Sequence, residues 1–520
     1  MKKLSLVLAL ILIILTFTSC KGDSEDANSS GITSLPSLPP VEDYETDVFV
    51  SIGIENGFHY VEYSDHVELT DYDMADSVSE IKFPSTIANK PVTKVNITSF
   101  AGNTFLTSVQ FPNTVLEIGN QVFATCTSLE NVKLPEGVQK IGSEVFYDTP
   151  WFESLADEFV IVGDGVLLKY NGKGGDVVIP DTVKYVSDAL SESSKITSIV
   201  IPNSVTGISN YAFYNCSSLS DITIPSHISD IGTHAFDETT WLLINDDEFL
   251  TVGNSVLVKY NGNGGDVVIP DTVKYVSGAF NGNENVTSVT VPSSVIRVRS
   301  ASFLECKNLT KITFEGAYTY IDAAAFAECT HLAEVNLPSK LEVIEDQLFY
   351  ACPYLVNIKL PDSVKLISRG AFYSCSRLES IEIGNNVTAI DSAAFFGCIA
   401  ITKIELPDTV EKFGTVPFAC CYELTEFNLP PKITEIPLGC FSYCVKIPEL
   451  RFGEHVTSIG EGAFEGCADL IVYIEGADTT IGKDIFLSCE DGKRKVYCKK
   501  GSVAEKYLKE NKIKYSIIKE

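Results

Sequence analysis

The chain of 520 residues is poor in methionine, tryptophan, histidine and positive charge. It contains two Met, two Trp and six His, and its formal net charge is -30. So few Met and Trp argue against a Met-rich binding groove and against a Trp-rich platform for sugars. The excess of carboxylates would repel phosphate groups, so we expect no nucleic-acid partner and no basic patch for a membrane surface.

Motifs of the common catalytic and metal sites are absent from the sequence. His227 and His234 lie close together in the sequence, but their spacing fits no metal-binding helix. The patterns G-x-S-x-G and H-E-x-x-H and the phosphate-binding P-loop do not occur. Serine and aspartate are abundant, so counting residues does not exclude a catalytic triad. We predict that the protein is not an enzyme and that it has no catalytic residue, cofactor or metal ion.

The N-terminus has the form of an export signal. Two lysines precede an apolar stretch over residues 4–17, which is too short to span a bilayer. The stretch ends in Phe17-Thr18-Ser19-Cys20, which resembles the lipobox of bacterial lipoproteins, although that family prefers Leu, Val or Ile at the position of Phe17. The resemblance implies a signal peptide over residues 1–19 and acylation of Cys20, for example with palmitate. A plain signal peptide followed by an unmodified cysteine is the alternative.

Residues 20–43 are rich in Ser, Pro, Asp and Glu, which predicts a disordered tether. With a lipid at Cys20, this tether would hold the rest of the chain away from the envelope. We expect a secreted protein that is anchored at the bacterial cell surface, on the outer membrane, and that contacts the membrane through its lipid alone. The sequence leaves an inner-membrane location open.

Phenylalanine recurs every 23 residues through most of the chain. Eight consecutive equal intervals run from Phe280 to Phe464. Such a period indicates one structural unit stacked many times, which is a solenoid. The full series, with Leu190 counted as a substituted phenylalanine, is Phe100, Phe123, Phe146, Leu190, Phe213, Phe236, Phe280, Phe303, Phe326, Phe349, Phe372, Phe395, Phe418, Phe441, Phe464 and Phe486. We therefore predict about sixteen turns, stacked over roughly 75 Å.

Residues 355–377 show the pattern of one repeat, L-x-x-I-x-L-P-x-x-V-x-x-I-x-x-x-A-F-x-x-C. The alternation at Ile358 and Leu360 predicts a short strand with one buried face. The spacing of Ala371 and Phe372 to the following cysteine predicts a helical turn pressed inward. One such turn cannot bury its own apolar side, so neighbouring turns must share a continuous core.

This consensus resembles the BspA-type family of bacterial leucine-rich repeat surface proteins. It recurs at residues 129–146, 219–236 and 456–467, and the resemblance covers about residues 80–490. The resemblance implies a repeat solenoid: a β-rich leucine-rich repeat superhelix with short helical turns, curved so that strands line its concave face. For function it implies a surface-exposed protein that binds host or bacterial partners.

The period also divides the chain into regions. We assign residues 44–99 to an N-terminal cap and first turn, residues 100–490 to the solenoid, and residues 491–520 to a C-terminal cap. Within the last region, residues 502–511 predict a helix, because Ser502 and Glu505 have capping-box spacing ahead of an amphipathic pattern.

Two repeats are 44 residues long and contain inserts near residues 147–180 and 237–270. Residues 169–187 and 259–277 are identical except at one position, which indicates a duplicated block of three repeats. Each insert predicts a β-hairpin, over residues 159–170 in the first copy. The Asn-Gly-x-Gly-Gly-Asp segment that follows is weakly similar to a calcium-binding turn. It lacks the tandem nonapeptides of such sites, so we interpret it as a plain turn.

Eleven of the fifteen cysteines lie three residues after a repeat phenylalanine or its equivalent. Other turns place Asn, Thr or Ser in that slot, which indicates a small side chain bonded to nearby backbone. Stacked neighbours would lie about 4.8 Å apart, wider than a disulfide prefers, so we predict a buried ladder of free thiols. Cys489 and Cys498 could pair across a turn. Cys420 and Cys440 lie outside the ladder, and their state stays open.

Two surfaces are candidates for partner binding. The first is an acidic stripe on the strand positions expected to line the concave face, and it includes Glu379, Glu382, Glu405 and Glu426. The second is an aromatic ridge formed by Tyr350, Tyr373 and Phe396, which directly follow the repeat phenylalanine on three successive turns. A solvated charged surface and stacking that only steadies the turns are the respective alternatives.

Three functions remain open on the sequence alone. The first is binding of a protein partner, a host matrix or bacterial surface protein, as in adhesion. The second is capture of surface glycans for nutrient uptake, and the third is a structural spacer without a specific ligand. The outward strand positions from Leu106 to Glu449 carry no aromatic residue, which argues against glycan capture. We therefore predict protein binding, of unknown partner.

Overall fold

The computed structural model describes residues 49–73, 77–489 and 494–518. These residues form a β-solenoid of about 19 turns with very little helix. Each regular turn contributes two short strands, and these stack on the strands of neighbouring turns as two parallel ladders. We call them ladder A, which carries the L-x-x-I-x-L segment, and ladder B, which carries the V-x-x-I segment. The predicted leucine-rich repeat solenoid is confirmed.

Ladder A contains strands of two to six residues, and in regular turns the paired residues are one 23-residue repeat apart, as Asn357 and Ser380 are. Its strands are Glu80–Lys82, Ser108–Gln110, Asn131–Lys133, Gly175–Val178, Ile196–Val200, Asp221–Thr223, Gly265–Val268, Val286–Val291, Lys311–Phe314, Glu334–Asn336, Asn357–Lys359, Ser380–Glu382, Lys403–Ile404, Glu426–Phe427, Glu449–Phe452, Ile471–Ile474, Lys495–Cys498 and Ser516–Ile517.

Ladder B consists mostly of two-residue strands. They are Val67–Tyr72, Lys90–Val95, Glu117–Ile118, Lys140–Ile141, Val166–Tyr170, Tyr185–Val186, Gly207–Ile208, Asp230–Ile231, Val256–Tyr260, Tyr275–Val276, Arg297–Val298, Tyr320–Ile321, Val343–Ile344, Leu366–Ile367, Ala389–Ile390, Lys412–Phe413, Glu435–Ile436, Ser458–Ile459 and Thr480–Ile481.

The remaining elements lie at the edges of these ladders. Antiparallel strands Phe49–Glu55 and Phe58–Tyr63 extend ladder B at its N-terminal edge, and Thr86–Ile87 pairs with Lys90–Val95. Strands Phe159–Val162 and Phe249–Val252 belong to the two inserts. The helices are α1 (Pro150–Glu153), α2 (Thr240–Ile244) and α3 (Val503–Glu510), with one 3₁₀ turn at Thr98–Phe100.

Ladder B has nineteen strands, three more than the number of turns predicted from phenylalanine. The additional turns carry tyrosine in the phenylalanine position. Tyr260 stacks on Phe280 with 5.0 Å between ring centroids, and Tyr72 stacks on Phe100 at 5.6 Å. In the first insert, the backbone N–H of Tyr170 donates to the carbonyl of Ala189, the residue before Leu190 on the next turn. The N–H of a repeat phenylalanine makes the same bond, as Phe349 does to Ala371. The predicted sixteen turns were too few because tyrosine fills the same slot.

The repeat phenylalanines form a column through the core. Phe349, Phe372 and Phe395 are fully buried, and neighbouring ring centroids are 5.5 and 5.4 Å apart. The rings within this segment lie within 17° of parallel. Each turn therefore buries its largest side chain against the same side chain of the next turn, which is why one turn alone would not be stable.

Apart from the 3₁₀ turn at Thr98–Phe100, the segments around the repeat phenylalanines are not helical, contrary to the prediction from their spacing. Residues 370–373 form consecutive turns, and the residues two positions on either side of Phe372 are left-handed, with φ of 61° at Gly370 and 57° at Ser374. Two left-handed residues four positions apart are incompatible with a right-handed helix. The same pair recurs around Phe395, at Ala393 and Gly397.

The cysteine slot has the predicted role. The Cys375 thiol donates a hydrogen bond to the carbonyl of Phe349, one turn earlier, at 3.1 Å, and each of the other ten cysteines in the slot bonds to the corresponding carbonyl. Thr149 and Thr239 fill the slot with a hydroxyl that bonds to the carbonyl of the phenylalanine three residues before it. The fourteen cysteines among the described residues are all free thiols, Cys489 and Cys498 included. The predicted thiol ladder is confirmed.

The thiol ladder predicts very slow chemistry at cysteine. Burial raises the pKa of the Cys375 thiol to about 12, so almost no thiolate exists near neutral pH. We expect the full chain carrying Cys20→Ala to react with a disulfide reagent at no more than one thiol within minutes at pH 8, at half-buried Cys489. Fourteen thiols should react in guanidinium chloride. Prompt reaction of several thiols without denaturant would contradict the buried ladder.

Each insert builds the predicted hairpin and, in addition, a short helix. Strands Phe159–Val162 and Val166–Tyr170 pair antiparallel, and the second strand joins ladder B. Helix α2 stands where other turns have a ladder A strand: Leu242 lies 23 residues after Leu219, and the N–H of Trp241 bonds to the Leu219 carbonyl at 2.7 Å. Ladder A is therefore interrupted at each insert.

The solenoid curls so that ladder B closes on itself. Lys140 and Arg299 both form ion pairs with Asp230, at 2.6 and 2.8 Å. Other ladder B strands lie between each of these residues and Asp230 along the chain, so the pairs reach across the curve. Farther apart, Arg369 Nη1 bonds to the carbonyl of Thr70 at 3.5 Å. An apolar cluster joins the N-terminal strands to three much later turns; its members are Phe49, Ile52, Val61, Tyr63, Val343, Leu366 and Ala389. The inside of the curve is therefore ladder B, and ladder A lies outside.

Charged side chains fill part of this closed interior in opposite-sign pairs. Lys94 is almost fully buried and lies 3.0 Å from a Glu117 carboxylate oxygen. Burial would lower the pKa of Lys94, but the carboxylates of Glu117 and Glu68 raise it above its ordinary value. Burial would likewise raise the pKa of Asp230, whereas its two cationic partners hold it well below the ordinary range. Such pairs tolerate burial only while both partners stay in place.

Helix α3 lies where the sequence predicts it. The Ser502 hydroxyl accepts the N–H of Glu505 at 3.1 Å, and the Glu505 carboxylate accepts the N–H of Gly501. Ala504 and Leu508 are fully buried against the end of the solenoid core. The helix therefore shields the apolar interior at the last turns.

Candidate functional site

The exposed side chains of ladder A form a continuous outer face, which we take as the candidate interaction surface. In the three-residue strands the central residue points inward and its two neighbours point to solvent. Ile358 is buried between exposed Asn357 and Lys359, and the next strand repeats the arrangement with Ile381 between Ser380 and Glu382. The residues on this face vary from turn to turn, while the inward residues stay apolar.

The predicted acidic stripe lies on this outer face and not on a concave one. The error follows from the curvature, because the contacts that close the coil are made by ladder B. The side chains of Glu382, Glu405 and Glu426 are 71%, 74% and 68% exposed, and Glu379 is also exposed. Lysines form ion pairs with these carboxylates. The Nζ atom of Lys359 lies 3.0 Å from a Glu382 oxygen, and that of Lys403 lies 2.5 Å from Glu405 and 3.5 Å from Glu426. Exposed pairs of this kind add little stability.

The predicted aromatic ridge exists as a stack, but it is not an open surface. Ring centroids are 5.2 Å apart between Tyr350 and Tyr373 and 4.8 Å apart between Tyr373 and Phe396. Tyr373 and Phe396 are only 4% and 6% exposed, because they pack in an apolar cluster with residues of neighbouring turns; the other buried members are Ala393, Val416, Ala419 and Cys420. Tyr350 alone keeps an accessible edge. Buried stacking favours a structural role for these rings.

An apolar patch that the sequence reasoning missed lies on α2. Leu243 and Ile244 are adjacent and are 72% and 62% exposed, and Leu243 is the most exposed large hydrophobic residue among the described residues. The duplicated first insert has Glu153 and Ser154 at the same positions, 90 residues earlier. Comparing the two inserts at exposed positions, and not only in their identical segment, would have revealed the patch.

Two aromatic residues on the outer face were also missed. Tyr473 and Tyr497 occupy successive outward positions of ladder A, and their rings stack at 4.5 Å with 7° between planes. The Arg451 guanidinium lies 3.7 Å from the centroid of the Tyr473 ring. The aromatic-free interval from Leu106 to Glu449 ended just before this column, so continuing the same repeat positions toward the C-terminus would have found it.

Cys20, the signal peptide over residues 1–19 and the tether over residues 20–43 lie outside the described residues. Their assignment therefore stays a prediction. In the part of the chain that the structure describes, no helix combines the length and the apolarity needed to cross a bilayer.

Comparison with known proteins identifies the repeat. The family model for the BspA type leucine rich repeat region matches in six copies, over residues 69–157, 170–256, 250–379 and 365–492. No curated protein matches the chain.

Several solved structures are similar to the chain. A leucine-rich repeat protein from Bacteroides ovatus is 21% identical, with 92% of this chain and 100% of that chain covered and a TM-score of 0.37. A leucine-rich repeat protein from T. pallidum is 33% identical over 32% of this chain and 82% of its own, with a TM-score of 0.31. A leucine-rich cell surface protein from Faecalibacterium prausnitzii is 20% identical, with 88% and 97% covered and a TM-score of 0.28.

Proposed function

Because the chain belongs to the BspA-type leucine-rich repeat family, we propose that it is a bacterial surface lipoprotein that binds a protein partner through its outer face. The observation that carries this proposal is the exposed apolar pair on α2. Contiguous exposed apolar patches, especially those with a polar rim, mark interaction sites on soluble proteins. The partner, a host matrix or bacterial surface protein, would bury Leu243 and Ile244 as the anchor of the contact.

The charge around α2 indicates the kind of protein surface that would fit. Asp246, Asp247 and Glu248 follow the helix after Asn245 and are exposed. An apolar centre with an acidic rim is complementary to a partner with an apolar patch and a basic rim. Glu379, Glu382, Glu405 and Glu426, farther along the same face, would raise the rate at which a basic partner arrives.

A substitution borrowed from the first insert tests the anchor. Leu243→Glu with Ile244→Ser gives the second insert the residues that the first insert carries at these positions, where Glu153 lies 3.5 Å from Lys169. Lys259 is the equivalent lysine in the second insert, so the variant keeps a charge partner for the new carboxylate. We expect at least about tenfold weaker binding to any matrix or bacterial surface protein captured by the wild-type chain.

The matched control is Glu153→Leu with Ser154→Ile, which moves the apolar pair to the first insert. It should not weaken binding at the second insert. Unfolding temperatures of both variants, measured alongside, verify that the fold is intact. Unchanged affinity in the Leu243→Glu, Ile244→Ser variant would remove α2 from the interface.

The aromatic stack provides a second test of where a partner binds. Tyr350→Ala with Tyr373→Ala should lower stability, because it opens a cavity in a buried cluster, and should leave affinity unchanged in the fraction that is folded. Loss of binding by a folded double variant would instead place the partner on Tyr350, Tyr373 and Phe396.

Surface anchoring is proposed separately, from the lipobox. Cells that express the full chain should incorporate radiolabelled palmitate into it, and Cys20→Ala should abolish this labelling while export continues. Fractionation of the envelope would then separate an outer-membrane from an inner-membrane location. Undiminished labelling of the Cys20→Ala protein would refute the anchor.

Binding assays with the wild-type chain also distinguish two other functions. A structural spacer would capture no protein under conditions in which the α2 residues are exposed. Glycan capture as the main function would give binding to polysaccharides and capture of no protein. The proposal assigns no catalytic role, in keeping with a repeat family that is generally non-enzymatic.

A further inference from the structure

The outer face ends in a short column of stacked π and cationic groups. In register along ladder A, Arg451 pairs with Tyr473, Tyr473 with Tyr497, and Tyr497 with Ser516. The first three side chains stack on one another, with 3.7 Å from the guanidinium to the Tyr473 centroid and 4.5 Å between the two rings. Glu449 holds the guanidinium in place through a 2.6 Å hydrogen bond to Arg451 Nε.

This column stops one strand before the end of the ladder. Tyr473 covers one face of the Tyr497 ring, and the other face is turned toward the next strand, where Ser516 is the paired residue. Ser516 is small and exposed, so the next position of the column holds no ring. Neighbouring strands lie about 4.8 Å apart, which leaves space above Ser516 about one ring thick.

The charge around this open position differs in sign from that of the chain as a whole. Residues 494–514 contain eight Lys and Arg and two Glu, in a protein of net charge -30. Lys495 lies two residues before Tyr497, and Lys514 lies two residues before Ser516. Both side chains are exposed. A ligand above Ser516 would therefore meet positive charge beside an aromatic face.

We propose that this end of the outer face binds an acidic polysaccharide, independently of the protein partner proposed above. One sugar ring stacks on the open face of Tyr497, with its C–H groups against the negative face of the aromatic ring. The carboxylate or sulfate of that sugar, or of its neighbour, pairs with Lys495 and Lys514. Ser516 is placed to hydrogen-bond a sugar hydroxyl.

The geometry favours a polysaccharide over an acidic protein. The open position accepts one flat ring in line with a stack and lies on the last ladder A strand of the described residues. A folded protein would need a wide apolar contact, and here the surrounding positions are Lys and Ser.

The test uses the full chain and four named probes: polygalacturonate and heparin as acidic polysaccharides, dextran as a neutral one, and polyglutamate as an acidic peptide. Affinity electrophoresis or calorimetry should show binding to at least one of the acidic polysaccharides and to neither dextran nor polyglutamate. Tyr497→Ala should weaken that binding about tenfold. Lys495→Gln should weaken it and reduce its dependence on salt concentration.

Two further variants keep the test decisive if Tyr497→Ala is poorly folded. Ser516→Glu leaves the aromatic column intact and places a carboxylate at an exposed position beside the open ring face, so it should also weaken binding about tenfold. Tyr354→Ala is the control: Tyr354 is 44% exposed and lies beneath an arginine, 4.6 Å from Arg377, but outside the column. Binding of no polysaccharide, equal binding of dextran, binding of polyglutamate alone, or full affinity in Ser516→Glu would each overturn the proposal.

Discussion

Replacing Phe372 with alanine is expected to lower the free energy of unfolding by about 3–5 kcal/mol. Phe372 is fully buried, and its ring is stacked between the rings of Phe349 and Phe395. Truncation removes both contacts and leaves a cavity at a position where rigid neighbouring turns cannot collapse inward. Guanidinium unfolding followed by circular dichroism would measure the loss.

The position in a stack adds a second expectation for the same variant. Because each turn is stabilised by its neighbours, a weakened turn divides the solenoid into two blocks that need not unfold together. Phe105→Ala is the control, since Phe105 is 67% exposed and lies outside the column. It should change stability by less than about 0.5 kcal/mol. A similarly small change for Phe372→Ala would contradict the column as the source of stability.

Leu366→Asp is expected to open the coil. Leu366 is 2% exposed and belongs to the apolar cluster that joins the N-terminal strands to later turns of ladder B. A carboxylate there has no cationic partner in the cluster, so we expect a loss of about 3 kcal/mol and separation of the two packed surfaces. Small-angle X-ray scattering should show a larger radius of gyration, while circular dichroism keeps the β-sheet signal.

The control for this prediction lies in the same column of ladder B. Glu435 is three turns farther along and exposed, so Glu435→Lys changes a charge without touching the cluster. Its scattering curve should match that of the wild-type chain. An unchanged radius of gyration in Leu366→Asp would mean that the N-terminal strands do not hold the coil closed.

The sequence predicts the repeating unit because its determinants are local. The 23-residue spacing, the apolar alternation and the small residue three positions after phenylalanine each describe contacts between adjacent turns. The helical turn was predicted wrongly because residue spacing does not reveal the sign of the backbone φ angle. The two left-handed residues near Phe372 are a glycine and a serine, so residue type does not reveal it either. Tyr260 was missed because the search required phenylalanine where the core accepts any large ring.

The curvature could not be predicted for a different reason. It depends on contacts between residues about 300 positions apart, such as Arg369 and Thr70, and on the inserts, which interrupt both ladders. The face expected to be concave is consequently the outer one. For the same reason, exposure along the chain was assigned incorrectly at Tyr373 and Phe396, which neighbouring turns cover, and was overlooked at Leu243 and Ile244.

Lysine acetylation of the native chain, read by mass spectrometry, tests most directly that ladder B is closed and ladder A is outside. Lys94, on ladder B, is 3% exposed, whereas the side chain of Lys359, on ladder A, is 75% exposed. We expect Lys359 to be fully acetylated under conditions that leave Lys94 unmodified, and both to react in guanidinium chloride. Acetylation of Lys94 at the same rate as Lys359 in the native protein would contradict the closed coil and, with it, the assignment of the outer face as the binding surface.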